Sequence, residues 1–202
     1  MANRANHYEA AFEAYIRALR VPCVAVDEAK RALSGEDEVG VKSPDFLLYP
    51  RLGPNLVVEV KGKQGKNARG RRPWENWVTI DDLDGLTRWQ EMFGPGFRAI
   101  LAFAYAEPPP DFPLPPGDGG FAFRGRLYRF WAVGLDDYVR DLRSRGPAWK
   151  AVAMARIAFR KRVRPLREWL PMTPESPRRP RPLKDKDKDK DKDKDKEKEP
   201  IQ

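Results

Sequence analysis

The sequence predicts a mixed α/β fold, and three observations carry the prediction. Tyr8, Phe12, Tyr15, Ile16 and Leu19 recur at helical spacing and mark the apolar face of an N-terminal helix. Phe46-Leu47-Leu48-Tyr49 and Leu56-Val57-Val58-Glu59-Val60 flank a turn containing Pro50, Gly53 and Pro54, the pattern of a β-hairpin. Thr79-Ile80-Asp81-Asp82 then reads as a helix cap with acidic first-turn residues, and Gly94-Pro95 supplies the stop. Leu83, Leu86, Gln90 and Phe93 share one face of that second helix, and the apolar run from Arg98 to Tyr105 completes a buried sheet.

The hairpin concentrates the chemistry. Period two puts Glu59 and Lys61 on the same face of their strand. A turn centred near Leu52 and Gly53 sets Asp45 opposite Val60, so its carboxylate lies beside Glu59 and Lys61. Hard cations take carboxylate, carbonyl and water oxygens, which makes Asp45, Glu59 and the Val60 carbonyl a candidate site for Mg²⁺ or Mn²⁺. Such an ion lowers the pKa of a bound water and offsets phosphate charge, while Lys61 can orient that water and stabilise developing negative charge. A Glu-x-Lys string arises by chance roughly once in a chain this charged, so its weight comes from the Pro-Asp strand that precedes it. An edge-strand salt bridge is the competing role for the same residues.

Pro44-Asp45 with Glu59-Val60-Lys61 resembles the PD-(D/E)XK nuclease superfamily, whose core is a mixed sheet flanked by helices in the order αβββαβ. His7-Tyr8-Glu9-Ala10-Ala11-Phe12-Glu13 is similar to the signature of the HYExAFE family of bacterial proteins, a family named for a motif and not for an activity. The resemblance spans residues 4–105 in outline. It implies a restriction-endonuclease-like core and hydrolysis of DNA phosphodiester bonds by a metal-activated water, with Asp45, Glu59 and Lys61 as catalytic residues. It also implies that a first-helix glutamate reaches the metal directly or through water, a relation Glu9 fills, with Glu13 in reserve. Spacing alone leaves Glu9 equally suited to be an ordinary charged residue at the edge of the apolar stripe. Related nucleases carry a Gln or Lys on the second helix near the active site, and Gln90 stands in that relation. A partly exposed glutamine at the stripe's margin is the alternative.

Residues 62–78 form a long connection with Lys63, Lys66, Arg69, Arg71 and Arg72 and no acid before Glu75, which reads as a basic flap able to attract phosphate. Trp74 and Trp77 follow; anchoring the loop to the core is the commoner role for such a pair, and stacking on unpaired bases is the other. Beyond the core, Pro108 to Gly120 reads as a surface connection, Phe121 to Val133 as a hairpin turning at Gly125-Arg126, and Leu135 to Arg145 as a helix. Phe159, Val163, Leu166 and Leu170 form an apolar line among Arg156, Arg160, Lys161, Arg162, Arg164 and Arg167, with Pro165 interrupting any single helix. Those cations suit either a phosphate-binding surface or a solvated face.

Composition bounds the rest. The 202 residues suit one domain over 1–172, with its core at 4–105 and an elaboration at 106–172. From Lys184 to Glu199 eight lysines alternate with eight acids, so residues 173–202 read as a disordered Pro/Arg and Lys-Asp tail with no apolar face to bury. A formal net charge of +9 favours acidic partners, DNA first among them. One cysteine, Cys23, excludes an intrachain disulfide, and one histidine, His7, leaves too few ligands for histidine-metal chemistry and suits a structural place or one near the site entrance. No apolar run approaches membrane-spanning length and no secretory signal stands at the start, so the expectation is a cytoplasmic protein without a membrane partner. A homodimer is compatible with the pattern. Three classes of function remain open at this level: a metal-dependent DNA nuclease, a catalytically silent nucleic-acid binder of the same fold, and a partner-binding scaffold whose acids are structural.

Overall fold

The structure, a computed structural model, describes residues 6–26, 41–64, 74–106, 120–146 and 150–171. Helix α1 (His7–Ala18) starts at Asn6, whose side chain accepts the Tyr8 N–H at 3.1 Å and so satisfies one orphan donor of the first turn. Strands β1 (Cys23–Ala25), β2 (Phe46–Leu48) and β3 (Asn55–Gln64) pair antiparallel in sequence order. The two-residue strand β4 (Val78–Thr79) leads into helix α2 (Ile80–Phe93), closed at its N-terminus by a capping box between Thr79 and Asp82. Strand β5 (Phe97–Ala106) then returns parallel to β3 over that strand's whole length.

With the two-residue β4 set aside, since it belongs to another sheet, this is the αβββαβ order expected of a restriction-endonuclease-like core. Residue patterns located two of its first three strands; the third is β1, too short and too exposed to carry a periodic signal. The chain continues through strands β6 (Phe121–Phe123) and β7 (Arg126–Gly134), helix α3 (Leu135–Arg140), strands β8 (Leu142–Gly146) and β9 (Ala151–Met154), helix α4 (Arg156–Arg162) and strand β10 (Arg164–Pro165). The main sheet runs β1-β2-β3-β5-β7-β10, with β6 on β7, and β3–β5 is its one parallel pair among the described strands.

Alternation on β3 and β5 divides the interior into two layers. Val58 and Val60 point toward α1, where Phe12, Ile16, Phe46 and Phe130 are buried. Val57 points the other way, into a layer with Leu83 and Leu86 of α2, Phe103, Tyr138 and Phe159. Each such fully buried side chain stabilises the fold by about 1.5–3 kcal/mol. The sheet is therefore covered on both faces, as a mixed sheet with a parallel pair requires.

Several expectations need correction. The hairpin pairs Phe46 with Val58 and Leu48 with Leu56, a register that sets Asp45 against Glu59, one residue from the position expected. Strand β3 runs on to Gln64, because its parallel ladder with β5 continues to Ala106, so Lys63 belongs to the sheet and not to the flap. The helix expected to reach Arg145 ends at Arg140, since the next residues pair with β9. A second, three-stranded sheet of order β4-β9-β8 follows from that pairing and had no local signature. The hairpin of β6 and β7 forms, but it turns at Arg124-Gly125, one residue before the position expected, since Phe123 pairs with Arg126; Pro165 stands beyond the end of α4 in an edge strand. Among the described residues no helix is long and apolar enough to cross a membrane.

Candidate functional site

Strand β2 stops before β3 does, so the Val60 N–H has no strand partner on that side. The Asp45 carboxylate supplies one: its Oδ2 accepts the Val60 N–H at 2.6 Å. The Asp45 backbone is held as well, its N–H donating to Val58 O and its carbonyl accepting from the Val26 N–H. Asp45 is thus fixed at the end of the hairpin by β3 on one side and by Val26, just beyond β1, on the other.

Glu59 and Lys61 lie on the α2 side of β3. Lys61 Nζ is 2.8 Å from Glu59 Oε1 and 2.8 Å from Asp82 Oδ2. Lys42 Nζ lies 2.5 Å from the same Glu59 oxygen and also pairs with Asp82 Oδ1. Two ammoniums and two buried carboxylates therefore alternate in a closed ring, drawn from the segment before β2, from β3 and from the first turn of α2. Asp82 is fixed from behind, because its Oδ2 also accepts the Thr79 N–H at 2.8 Å in the capping box. Lys42 is fixed by its backbone: its carbonyl accepts the Trp89 Nε1–H at 3.0 Å, and Gly85 lets the chain pass so closely that an added Cβ would stand 2.8 Å from that carbonyl oxygen.

Helix α1 reaches the same strand. A Cβ on Gly62 would stand 2.1 Å from the Tyr8 ring, so only glycine lets α1 settle on β3. Glu9, the next residue, is 9% exposed and accepts a hydrogen bond from Asn6 Nδ2. His7 is held by its Nδ1 contact with the Tyr128 hydroxyl at 2.8 Å.

Burial raises the Asp45 carboxyl well above the usual range, the Glu59 carboxylate adds to the rise, the Val60 N–H opposes it, and Glu9 pushes it up further. Burial also raises Glu59, against the pull of Lys61 and Lys42. Burial works upward on Asp82 too, yet Lys61 and Lys42 overcome it and hold this carboxyl below its usual range. Both lysines are lowered by burial and raised more strongly by Glu59 and Asp82, so both stay charged. Asp45→Asn keeps an oxygen for Val60 while removing a charge that the fold holds unfavourably. It should raise stability at neutral pH by about 1 kcal/mol, readable as a higher melting temperature; a lower one would contradict this picture of the carboxyl.

Of the residues expected at the site, Asp45, Glu59 and Lys61 come together, and Glu9 stands near enough to bear on Asp45. Glu13 instead pairs with Arg17 on the outer face of α1. Gln90 is committed elsewhere, its Oε1 accepting the Ala99 N–H at 2.6 Å where β5 extends past β7. Lys63 is 3% exposed and donates to the Trp77 carbonyl at 2.8 Å, so as placed it presents no phosphate-binding surface. Lys66, Arg69, Arg71 and Arg72 lie outside the described residues. Sequence reasoning missed Lys42 and Asp82. Asp82 carried one signal, an acid next to Leu83 and four residues before Leu86 on the apolar side of α2; Lys42 carried none.

The motif implies a divalent ion. Asp45 and Glu59 offer hard oxygens in a buried place; Asp45 lies under the repulsion of Glu59 and Glu9, whereas Glu59 already has Lys42 and Lys61 as counter-charges. Among the described residues no group of three or more His, Cys, Asp or Glu is disposed to hold a metal ion. Asp45 and Glu59 are donors of the chemical kind that Mg²⁺ accepts, an ion that keeps several waters and takes one or two carboxylates.

Fold and site together define a mixed α/β protein with a buried acid–lysine cluster at the end of a β-hairpin. No family model matches the chain, and no curated protein matches it. Among solved structures it is similar in outline to the 1.6 Å structure of Hjc, a Holliday junction resolvase from the archaeal hyperthermophile Archaeoglobus fulgidus. The TM-score is 0.48 and the identity 13%, over 82% of this chain and 98% of that one.

Proposed function

We propose that this protein is a metal-dependent nuclease that hydrolyses phosphodiester bonds of DNA, of the PD-(D/E)XK superfamily and, by its 7–13 motif, akin to the HYExAFE proteins. The observation that carries the reading is the meeting of Asp45, Glu59 and Lys61 at one end of the β2–β3 hairpin, with the Asp45 carboxylate fastened to Val60. Asp45 and Glu59 would hold Mg²⁺ or Mn²⁺, with the Val60 carbonyl and Glu9 as further oxygens directly or through water. The bound ion supplies a water of lowered pKa and charge compensation for the phosphate. Lys61 has three N–H donors, of which Glu59 and Asp82 take two; the third serves the attacking water or a phosphate oxygen. Asp82 keeps that ammonium in position.

A polyanionic partner also suits the surface around α4. Phe159, Val163, Leu166 and Leu170 are buried, which turns Arg156, Arg160, Lys161, Arg164 and Arg167 to solvent. A cleft of about 740 Å³ beside α4 has Arg143, Lys161, Arg162 and Arg164 against two acids, Asp137 and Asp141.

The test is incubation of the purified protein with linear, branched and junction DNA and with RNA, in Mg²⁺ or Mn²⁺. Cleavage is expected that falls to background in Asp45→Ala and by on the order of 10²–10³-fold in Lys61→Ala. Cleavage undiminished in Asp45→Ala would sink the assignment. The closed ring of Lys42, Glu59, Lys61 and Asp82 favours a second reading, a catalytically silent nucleic-acid binder in which the lysines already satisfy the acids. Salt-sensitive DNA binding without cleavage of any substrate would select it.

A further inference from the structure

The two tryptophans that precede α2 have different surroundings. Trp74 is 4% exposed and makes edge contacts with Tyr105, Trp131 and Phe159, which accounts for it as a core anchor. Trp77 is 37% exposed, the largest aromatic side chain that the described residues leave open to that degree. It is nevertheless fixed. Lys63 Nζ sits 3.7 Å from the centroid of its ring while donating to its own carbonyl at 2.8 Å, and the next residue, Val78, is fully buried in β4.

The position of that ring matters. Lys63 follows Lys61 by two residues on the same face of β3, a separation of roughly 6.5–7 Å along the strand. From the other direction, Trp77 precedes Thr79 by two residues, and the Thr79 N–H is bonded to the Asp82 oxygen that also holds Lys61. Strand and helix cap thus bring one indole, backed by a buried ammonium, to the border of the acid–lysine cluster. Nothing in the core requires an indole there, since burial is what Trp74 already provides. A flat aromatic face, held rigid beside a phosphate-directed site, matches the π-face of a nucleobase that is not stacked in a duplex.

We propose that Trp77 is a stacking platform for an unpaired base, and that the substrate therefore enters as single-stranded or locally unpaired nucleic acid. The proposal rests on the nuclease reading for its setting but is measured by binding alone. The side chain is a specificity-determining contact and takes no part in the reaction itself. Lys63 is its positioning residue: the ammonium covers the inner face and leaves the indole one orientation.

The experiment uses the full chain in EDTA, where cleavage is silent, with fluorescein-labelled oligothymidylate and a blunt duplex of equal length as probes, read by anisotropy. Trp77→Ala should weaken binding of the single strand by roughly 5- to 150-fold, the range set by loss of one stacked base, and leave duplex binding unchanged. Trp77→Phe should recover most of the loss and Trp77→Leu should not; this pair keeps the test decisive if the alanine variant folds poorly. Single-strand binding unchanged in Trp77→Ala, equal losses on strand and duplex, equivalence of the Phe and Leu variants, or no binding of either probe would each overturn the proposal. Metal-dependent cleavage is measured separately on the same preparations. Cleavage combined with indifference to Trp77 removes this inference and keeps the nuclease; Trp77-dependent binding without cleavage removes the nuclease and keeps the inference.

Discussion

Asp82→Ala should lower folding stability by about 3–5 kcal/mol, the cost of taking one partner out of a buried charge cluster. Three losses coincide at that residue. Lys42 and Lys61 each lose an acceptor, and the first turn of α2 loses the oxygen that accepts the Thr79 N–H. The remaining carboxylate, Glu59, must then face two ammoniums. Urea unfolding followed by circular dichroism measures the change, and Asp82→Asn separates its parts, since asparagine keeps an acceptor for Thr79 but no charge. A loss under about 1 kcal/mol in Asp82→Ala would mean that the cluster is solvated like a surface pair.

The same substitution should change the pH dependence of stability. Burial pushes the Asp82 carboxyl up, Lys61 and Lys42 pull it down harder, and the result lies below the usual value. Its contribution is therefore present above about pH 4, where an unfolded aspartate ionises, and is lost as pH falls toward the depressed value. The two lysines are raised, so their contribution is complete below about pH 10 and is lost as pH climbs through their folded values. Asp45 and Glu59 work in the opposite sense: burial raises both, and the penalty for ionising them is relieved as pH falls through their folded values. The wild-type protein should thus hold or gain stability on mild acidification and lose it steeply below about pH 4, and Asp82→Ala should lack the steep part.

Gly62→Ala is the second large effect. The new methyl would lie 2.1 Å from the Tyr8 ring, inside any permitted contact, and β3 cannot retreat because its ladder with β5 passes through this residue. Tyr8 is confined as well, edge-on to Tyr128 at 6.2 Å between ring centroids while Tyr128 holds His7. The helix must move, which should cost about 1–3 kcal/mol and carry Glu9 away from Asp45. Combining Gly62→Ala with Tyr8→Ala should recover much of the Gly62→Ala cost, because the second change vacates the disputed space. Additive losses in that double-mutant cycle would assign the cost to the strand backbone.

What could be read in the sequence was whatever announces itself locally. The stripe of α1, the cap and stop of α2, the apolar run of β5 and the β6–β7 hairpin all depend on neighbours within a few residues, and all form, the hairpin turning one residue earlier than expected. The hairpin register missed by one residue because turn composition does not fix which residues pair, and a one-residue slip decides whether Asp45 faces Val60 or Glu59. The β4-β9-β8 sheet escaped because each strand is short and because β4 lies far along the chain from β9, although β8 and β9 are neighbours. Lys42 escaped for the same reason. Its place depends on Gly85 and Trp89, which sit on a different element, and nothing in Lys42-Ser43-Pro44-Asp45 hints at either. The paired acids and Lys61 were legible because a single hairpin, with the residue that enters it, contains them.

The parallel alignment of β3 with β5 also has a temporal meaning. Two parallel neighbours cannot be joined by a tight turn, so β5 can zip onto β3 only after the chain has travelled out, formed α2 and come back. Asp45 and Val60 can meet early, within a local hairpin, but Asp82 arrives on the returning crossover. The four-charge ring can therefore close only after that crossover is in place, and it exists only in chains that have completed the passage.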